Sequence, residues 1–256
     1  MIPSIKAEFR KVFSVRSTYI MLAIALLLVI FFGFFVVGMH SQRGKTLSPT
    51  FLDSNISGAI MTVTFFGGLV GVLLVTHEYR YNTIMYSLTN TNSRSKVFFS
   101  KILIITAFSL LFTVVISILA PLMIFLGVHA HGIRLVPQTF YYRDLAWRCL
   151  FYGWGYAMAA VVLAFIIRNQ IATIVTLLIG PTLVDGILSL WLKQNIVYLP
   201  FDSLQNVLGS GRNNLANAQG SITPFHSLLV VMAYLIFAWL VAWLLFLRRD
   251  AATNAS

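Results

Sequence analysis

Six stretches of about 20 predominantly apolar residues recur along this chain, and a helix of that length spans a hydrocarbon layer about 30 Å thick. They fall at 18–38, 58–76, 102–127, 145–167, 171–192 and 226–247. Between them the chain is sparingly charged: 10% of residues are Asp, Glu, Lys or Arg and 59% are apolar, whereas soluble domains carry about 25% charged residues. A soluble enzyme is thereby excluded. Lipid offers the backbone no hydrogen-bond partners, and the runs show no period-2 alternation of the kind a barrel strand needs. The expected fold class is therefore an all-α membrane protein with six transmembrane helices. The first run starts only after Arg16 and is about 21 residues long, beyond the 7–15 of a signal-peptide core. It reads as a retained span.

Lys and Arg number 18 against 7 Asp and Glu, a basic excess that on such a chain reflects topology and anionic lipid rather than nucleic acid. Segments 1–17, 77–101, 168–170 and 248–256 hold four, four, one and two of these cations, 11 of the 18; the three segments on the opposite side hold two each, and Arg148 lies just inside the fourth run. The positive-inside rule places both termini in the cytoplasm of a bacterial-type plasma membrane protein. The organisation expected is one transmembrane domain over 1–256: an interfacial helix at 1–17, a six-span bundle at 18–247 and a cytoplasmic tail at 248–256. The lone cysteine, Cys149, cannot form an intramolecular disulfide and reads as a small hydrophobe.

Gly67 and Gly71 in the second run, and Gly153, Gly155, Ala157 and Ala159 in the fourth, have the small-residue spacing that lets helix backbones approach closely. This fits packing within the chain or, alternatively, a dimer seam. Before the first run, Ile2, Ile5, Phe9, Val12 and Phe13 recur at helical spacing while Lys6, Arg10 and Lys11 fall on other faces. The segment reads as an amphipathic helix in the cytoplasmic interface, its lysines and arginines meeting anionic headgroups, or as a simple positive-inside anchor.

The stretch from His77 to Lys101 is too ordered in character for a linker. It runs without Gly or Pro from Glu78 onward and mixes Tyr, Met and Leu with scattered charges. Glu78, Thr83, Leu88, Ser93-Arg94 and Lys101, seven residues after the arginine, give it a layout that resembles the loop after the second span in permease subunits of type-2 ABC exporters. That pattern has Gly where Asn82 stands and Pro where Thr91 stands. The resemblance extends over nearly the whole chain, from the interfacial helix through six spans to a long outer segment before the last one. It implies that 78–96 is a coupling region seated in a groove of a separate ATP-hydrolysing subunit, with Arg94 and Glu78 as polar contacts. Taken singly, Arg94, Lys96 and Lys101 also fit ordinary positive-inside charges. Six helices alone are too few to enclose a large pathway, so a dimer with an identical or similar permease chain is expected, with ATP and Mg bound by the separate ATPase subunit rather than here.

Residues 193–225 carry a helical apolar face through Val197, Phe201, Leu204 and Leu208, too short to span and too apolar for a solvated loop. Pro200 suits a first helical turn, and Gly209-Ser210-Gly211 a break after it. Short helices dipping back into the membrane are expected, or an amphipathic loop on the outer headgroups; the resemblance implies a re-entrant pair capping the substrate path.

Enzymatic chemistry is not legible. Arg43-Gly44-Lys45-Thr46 ends like a phosphate-binding loop, but Met39 stands where that motif needs its first glycine. The histidines, His129 and His131 included, show no zinc spacing, and there is no nucleophile elbow. No catalytic or metal-binding set, and no cofactor of its own, is expected. Asp185 is the one acid inside a run, and an intramembrane acid is a functional candidate by default. Either it lines the substrate path or it pairs with Arg148, which sits about 8 Å away along the axis. The function expected is the transmembrane subunit of an ATP-driven exporter moving an apolar or amphipathic substrate outward. The alternative is an ion-coupled secondary transporter, which would need more coupling groups near the midplane and internal repeats. An intramembrane enzyme acting on lipids is a third class, for which no catalytic set is assembled.

Overall fold

The computed structural model describes residues 2–36, 49–81, 83–91, 94–131, 142–192, 197–209 and 223–248. Ser93, the 43–46 segment, Gly211 and residues 249–256 of the tail lie outside this set, as do the side chains of Lys6 and Leu88. The described residues form helices and no strand. In chain order these are α1 (Ile2–Ser14), α2 (Arg16–Phe31, continued by a π turn over Phe32–Val36), α3 (Pro49–Arg80), α4 (Ile84–Thr91), α5 (Arg94–Ala130), α6 (Tyr142–Ile167), α7 (Gln170–Leu192), α8 (Pro200–Leu208) and α9 (Pro224–Arg248).

Six of them are long and apolar enough to cross a membrane: Arg16–Phe35, Asp53–Arg80, Arg94–Ala130, Asp144–Ile167, Gln170–Leu192 and Pro224–Arg248. Each covers most or all of the corresponding apolar run, the first as far as Phe35, and α3, α5, α6 and α9 extend beyond theirs, because a helix does not stop where its sequence turns polar. With 37 residues, α5 is about 55 Å long at 1.5 Å per residue, well beyond a hydrocarbon layer. Successive long helices run in opposite directions. The end of α3, the start of α5, the end of α9 and all of α1 therefore meet at one end of the bundle, here the terminal end; the other is the far end.

Burial separates a centre from a periphery. In their most apolar stretches α3 and α6 are 72% and 61% buried, whereas α7 and α9 are 17%. The small residues explain why α3 and α6 sit so close to their neighbours. A Cβ on Gly71 would lie 2.9 Å from Val161 of α6, and one on Gly153 would lie 2.1 Å from the Thr113 hydroxyl of α5. These glycines thus serve contacts inside the chain. Toward the terminal end an aromatic cluster closes the core, with Phe98 4.7 Å from Phe165 and 5.6 Å from Phe246 between ring centres.

Candidate functional site

At the terminal end four charged side chains from three helices close into a ring. Lys11 of α1 donates to Glu8 at 2.8 Å and to Glu78 of α3 at 2.5 Å. Lys101 of α5 donates to Glu8 at 2.8 Å and to Glu78 at 2.9 Å. Charges alternate around the ring and cancel. Lys101 is fully buried, and Glu8 and Glu78 are 3% and 4% exposed. A buried charge costs several kcal/mol unless paired, so this ring holds only while α1 stays docked. Burial pulls the Lys11 pKa down, but the carboxylates of Glu78 and Glu8 outweigh it and raise the value above the ordinary 10.5. Its contribution is therefore complete below that pH and is lost as pH rises through the raised value.

Beside this ring, further contacts stitch the terminal end together. Arg94 donates to the Leu247 carbonyl at 3.0 Å, satisfying a carbonyl in the last turn of α9 where the helix dipole favours a cation. Arg168 takes the left-handed conformation between α6 and α7, lies 5.1 Å over the Tyr79 ring and donates to the Leu245 carbonyl at 3.4 Å. Asn169 then starts α7, its side-chain oxygen accepting from the Ala172 amide at 3.1 Å. Arg80 reaches Gln170 at 3.1 Å.

Glu78, Lys101 and Arg94 thus face other helices of the same chain, while Thr83 is exposed. The tip of the turn between α3 and α5 is α4, which buries Ile84 at 2% exposure and presents Met85 and Tyr86 outward, Tyr86 at 78%; Tyr81, between α3 and α4, is exposed as well. Sequence reasoning passed over these three side chains and Glu8. Glu8 carried a signal nonetheless, being the one acid of a basic segment, three and four residues from Lys11 and Val12. On α1, Glu8 and Val12 face the bundle, while Arg10, Phe9 and Phe13 are exposed.

At the far end Asp185 and Arg148 take different partners. Arg148 pairs with Asp144 four residues earlier at 2.5 Å. Asp185, 3% exposed, accepts from the backbone amide of Asp202 at 2.7 Å. That amide belongs to the first turn of α8, whose N-cap is Leu199 and supplies no side-chain cap. Asp185 therefore does from α7 what a capping side chain does locally. Ser203 donates to the Val197 carbonyl at 2.6 Å, and Gly209 ends α8 with a φ of 88°, a conformation glycine adopts at little steric cost. Leu204, Val207 and Leu208 are buried.

No cluster of metal-ligating side chains is found among the described residues. The fold and the stitched terminal end define a multi-pass helical membrane protein whose amphipathic N-terminal helix is locked to the bundle through charge. Residues 4–188 match the family model described as ABC-2 family transporter protein, and the chain belongs to that family. The match takes in the whole ring and Asp185. No curated protein matches the chain. Membership makes it an ABC transporter permease whose family works with ABC ATPase subunits.

Proposed function

We propose that this chain is the transmembrane subunit of an exporter, moving an apolar or amphipathic substrate outward with energy from ATP hydrolysed, with its Mg, on a separate subunit. The observation that carries this is the joint at the terminal end. The coupling turn 78–96 is fixed at its roots by Glu78 and Lys101, and the same ring holds α1, so a push on α4 reaches α1, α3 and α5 together. In this reading Tyr81, Met85, Tyr86 and Thr83 meet the ATPase subunit, Ser93 and Leu88 complete the turn, and Glu78, Arg94 and Lys101 transmit the motion. The chain itself performs no catalysis. The terminal end faces the cytoplasm of a plasma membrane, in keeping with its Lys and Arg content.

The working unit is a dimer with an identical or similar chain. The broad apolar face of α7, exposed at Val175, Leu178, Leu183 and Ile187, supports this, since six helices alone enclose little space. At the far end α8 is a re-entrant cap over the substrate path, positioned by Asp185. With that carboxylate engaged by a backbone amide, the ion-coupled alternative loses its best coupling group.

The test is purification from the native membrane in mild detergent. A stoichiometric soluble ATPase is expected to co-purify and to be lost from the Tyr86→Glu/Met85→Glu variant, while Arg10→Glu on exposed α1 surface retains it. Isolation without an ATPase, with transport that follows an ion gradient and ignores ATP, overturns the reading.

A further inference from the structure

Beside the ion ring a cavity of about 590 Å³ opens between the elbow joining α1 to α2 and one face of α3, within the 300–1,000 Å³ of typical ligand sites. Its α3 wall is a single helical stripe. Val70, Leu73 and Leu74 form the apolar part, and His77 and Glu78, with Tyr81 just past the end of α3, the polar part toward the terminal end, a gradient over about 12 Å of helix. Val12 of α1 packs with Val70 and Ile104 on the apolar side. The facing rim brings Lys11, Ser14, Arg16 and Ser17.

The charge balance of the cavity is positive. Glu78 is the one acid among its described lining residues, and it is already matched inside the neutral ring by Lys11 and Lys101. Arg16 is exposed, makes no ion pair among the described residues, and leaves a cation surplus at the polar rim. A cavity that is apolar inward, hydroxyl-lined and cationic at its rim, and set where the apolar runs of α2 and α3 give way to polar residues, has the polarity of a lipid with an anionic headgroup. We propose that it binds one anionic phospholipid, the phosphate at Arg16 with Ser14 and Ser17, and the upper acyl chain along Val70, Leu73 and Leu74. The lipid would wedge the α1–α2 elbow against α3, next to the ring that fixes α1. This holds whatever the transporter moves and in whichever direction.

The experiment is native mass spectrometry of the full chain, released from nanodiscs of phosphatidylcholine containing phosphatidylglycerol. Wild type is expected to retain one phosphatidylglycerol per chain, with a preference over phosphatidylcholine of about fivefold for one cation near the surface. Arg16→Gln should lose the preference, Ser17→Trp should exclude both lipids, and Arg10→Gln, on the exposed face of α1, should change nothing. Equal retention of the two lipids by wild type overturns the proposal, and so does an equal loss in Arg10→Gln, which would indicate diffuse surface charge. Displacement of the lipid by millimolar inorganic phosphate overturns it in favour of a free-anion site. If Arg16→Gln does not fold, Ser17→Trp decides: continued retention of phosphatidylglycerol sinks the idea.

Discussion

The two ends of the bundle handle charge in opposite ways. At the terminal end, Glu8, Lys11, Glu78 and Lys101 come from three helices, the links reaching across 67 and 93 residues of chain, and Lys101 has no exposed surface. At the far end, Arg148 finds Asp144 one turn away on its own helix, with side-chain exposures of 24% and 56%, and Asp185 serves a backbone amide. Local pairs stabilise an element; distant buried pairs fix how elements stand to one another. A buried ion pair contributes little net stability compared with an apolar replacement, yet breaking it is severe. The terminal end is thus built to hold a particular arrangement, as the proposed coupling joint requires, and the far end is built to hold α8 in place.

Lys101→Met tests this most strongly. Two buried carboxylates would be left to Lys11 alone, and a loss of about 3–5 kcal/mol is expected, read as a large drop in thermal midpoint in detergent. Replacing all four ring residues by Met should recover most of that stability, because neutral apolar packing in such sites is often no worse than the ions. The same variant should fail to couple ATP hydrolysis to transport. If it couples normally, the ring is only structural and the contrast between the ends collapses.

The scaffold joining the ends rests on close helix contact. With a Cβ on Gly153 only 2.1 Å from the Thr113 hydroxyl, Gly153→Val must push α6 away from α5, at about 1–3 kcal/mol for overpacking. Gly153→Val combined with Thr113→Ala should recover part of the loss, and the melting temperatures of the single and double variants measure it. At the far end, Asp185→Leu leaves the Asp202 amide buried without its acceptor, at about 1–3 kcal/mol. The readout is faster hydrogen exchange over α8 alone, with α1 and α3 unchanged; Asp185→Asn keeps an acceptor and should stay close to wild type.

Much of this was legible in advance, and the misses have physical causes. The six spans, the all-α class and the end of α8 at Gly209 follow from length, hydropathy and turn chemistry, which are local. The 77–101 segment was readable as ordered, and α4 lies within it. The partners of its charges were not: spacing shows that Glu78 and Lys101 stand near the same membrane surface, but not that α1 folds back to insert Glu8 between them. The expected approach of Arg148 to Asp185 used distance along the axis, which says nothing of rotation about it. Asp144, four residues before Arg148, satisfied the simpler helical rule. The role of Asp185 was hidden because the helix it caps starts at Leu199 and Pro200, which advertise a helix start but no cap.

The smallest effect sharpens the comparison from the weak side. Arg148→Gln removes a pair that is partly solvent-exposed and held within one helix, a class worth about 0–1 kcal/mol in water. Its guanidinium also lies near Gly209, where an added Cβ would stand 3.8 Å from Nη1. The pair therefore touches the base of α8 without holding it. A change in thermal midpoint close to the limit of measurement is expected, together with unchanged hydrogen exchange in α8. A loss as large as that of Asp185→Leu would mean that the far end, like the terminal end, depends on a charge network spanning several helices, and the division of labour between the two ends would not stand.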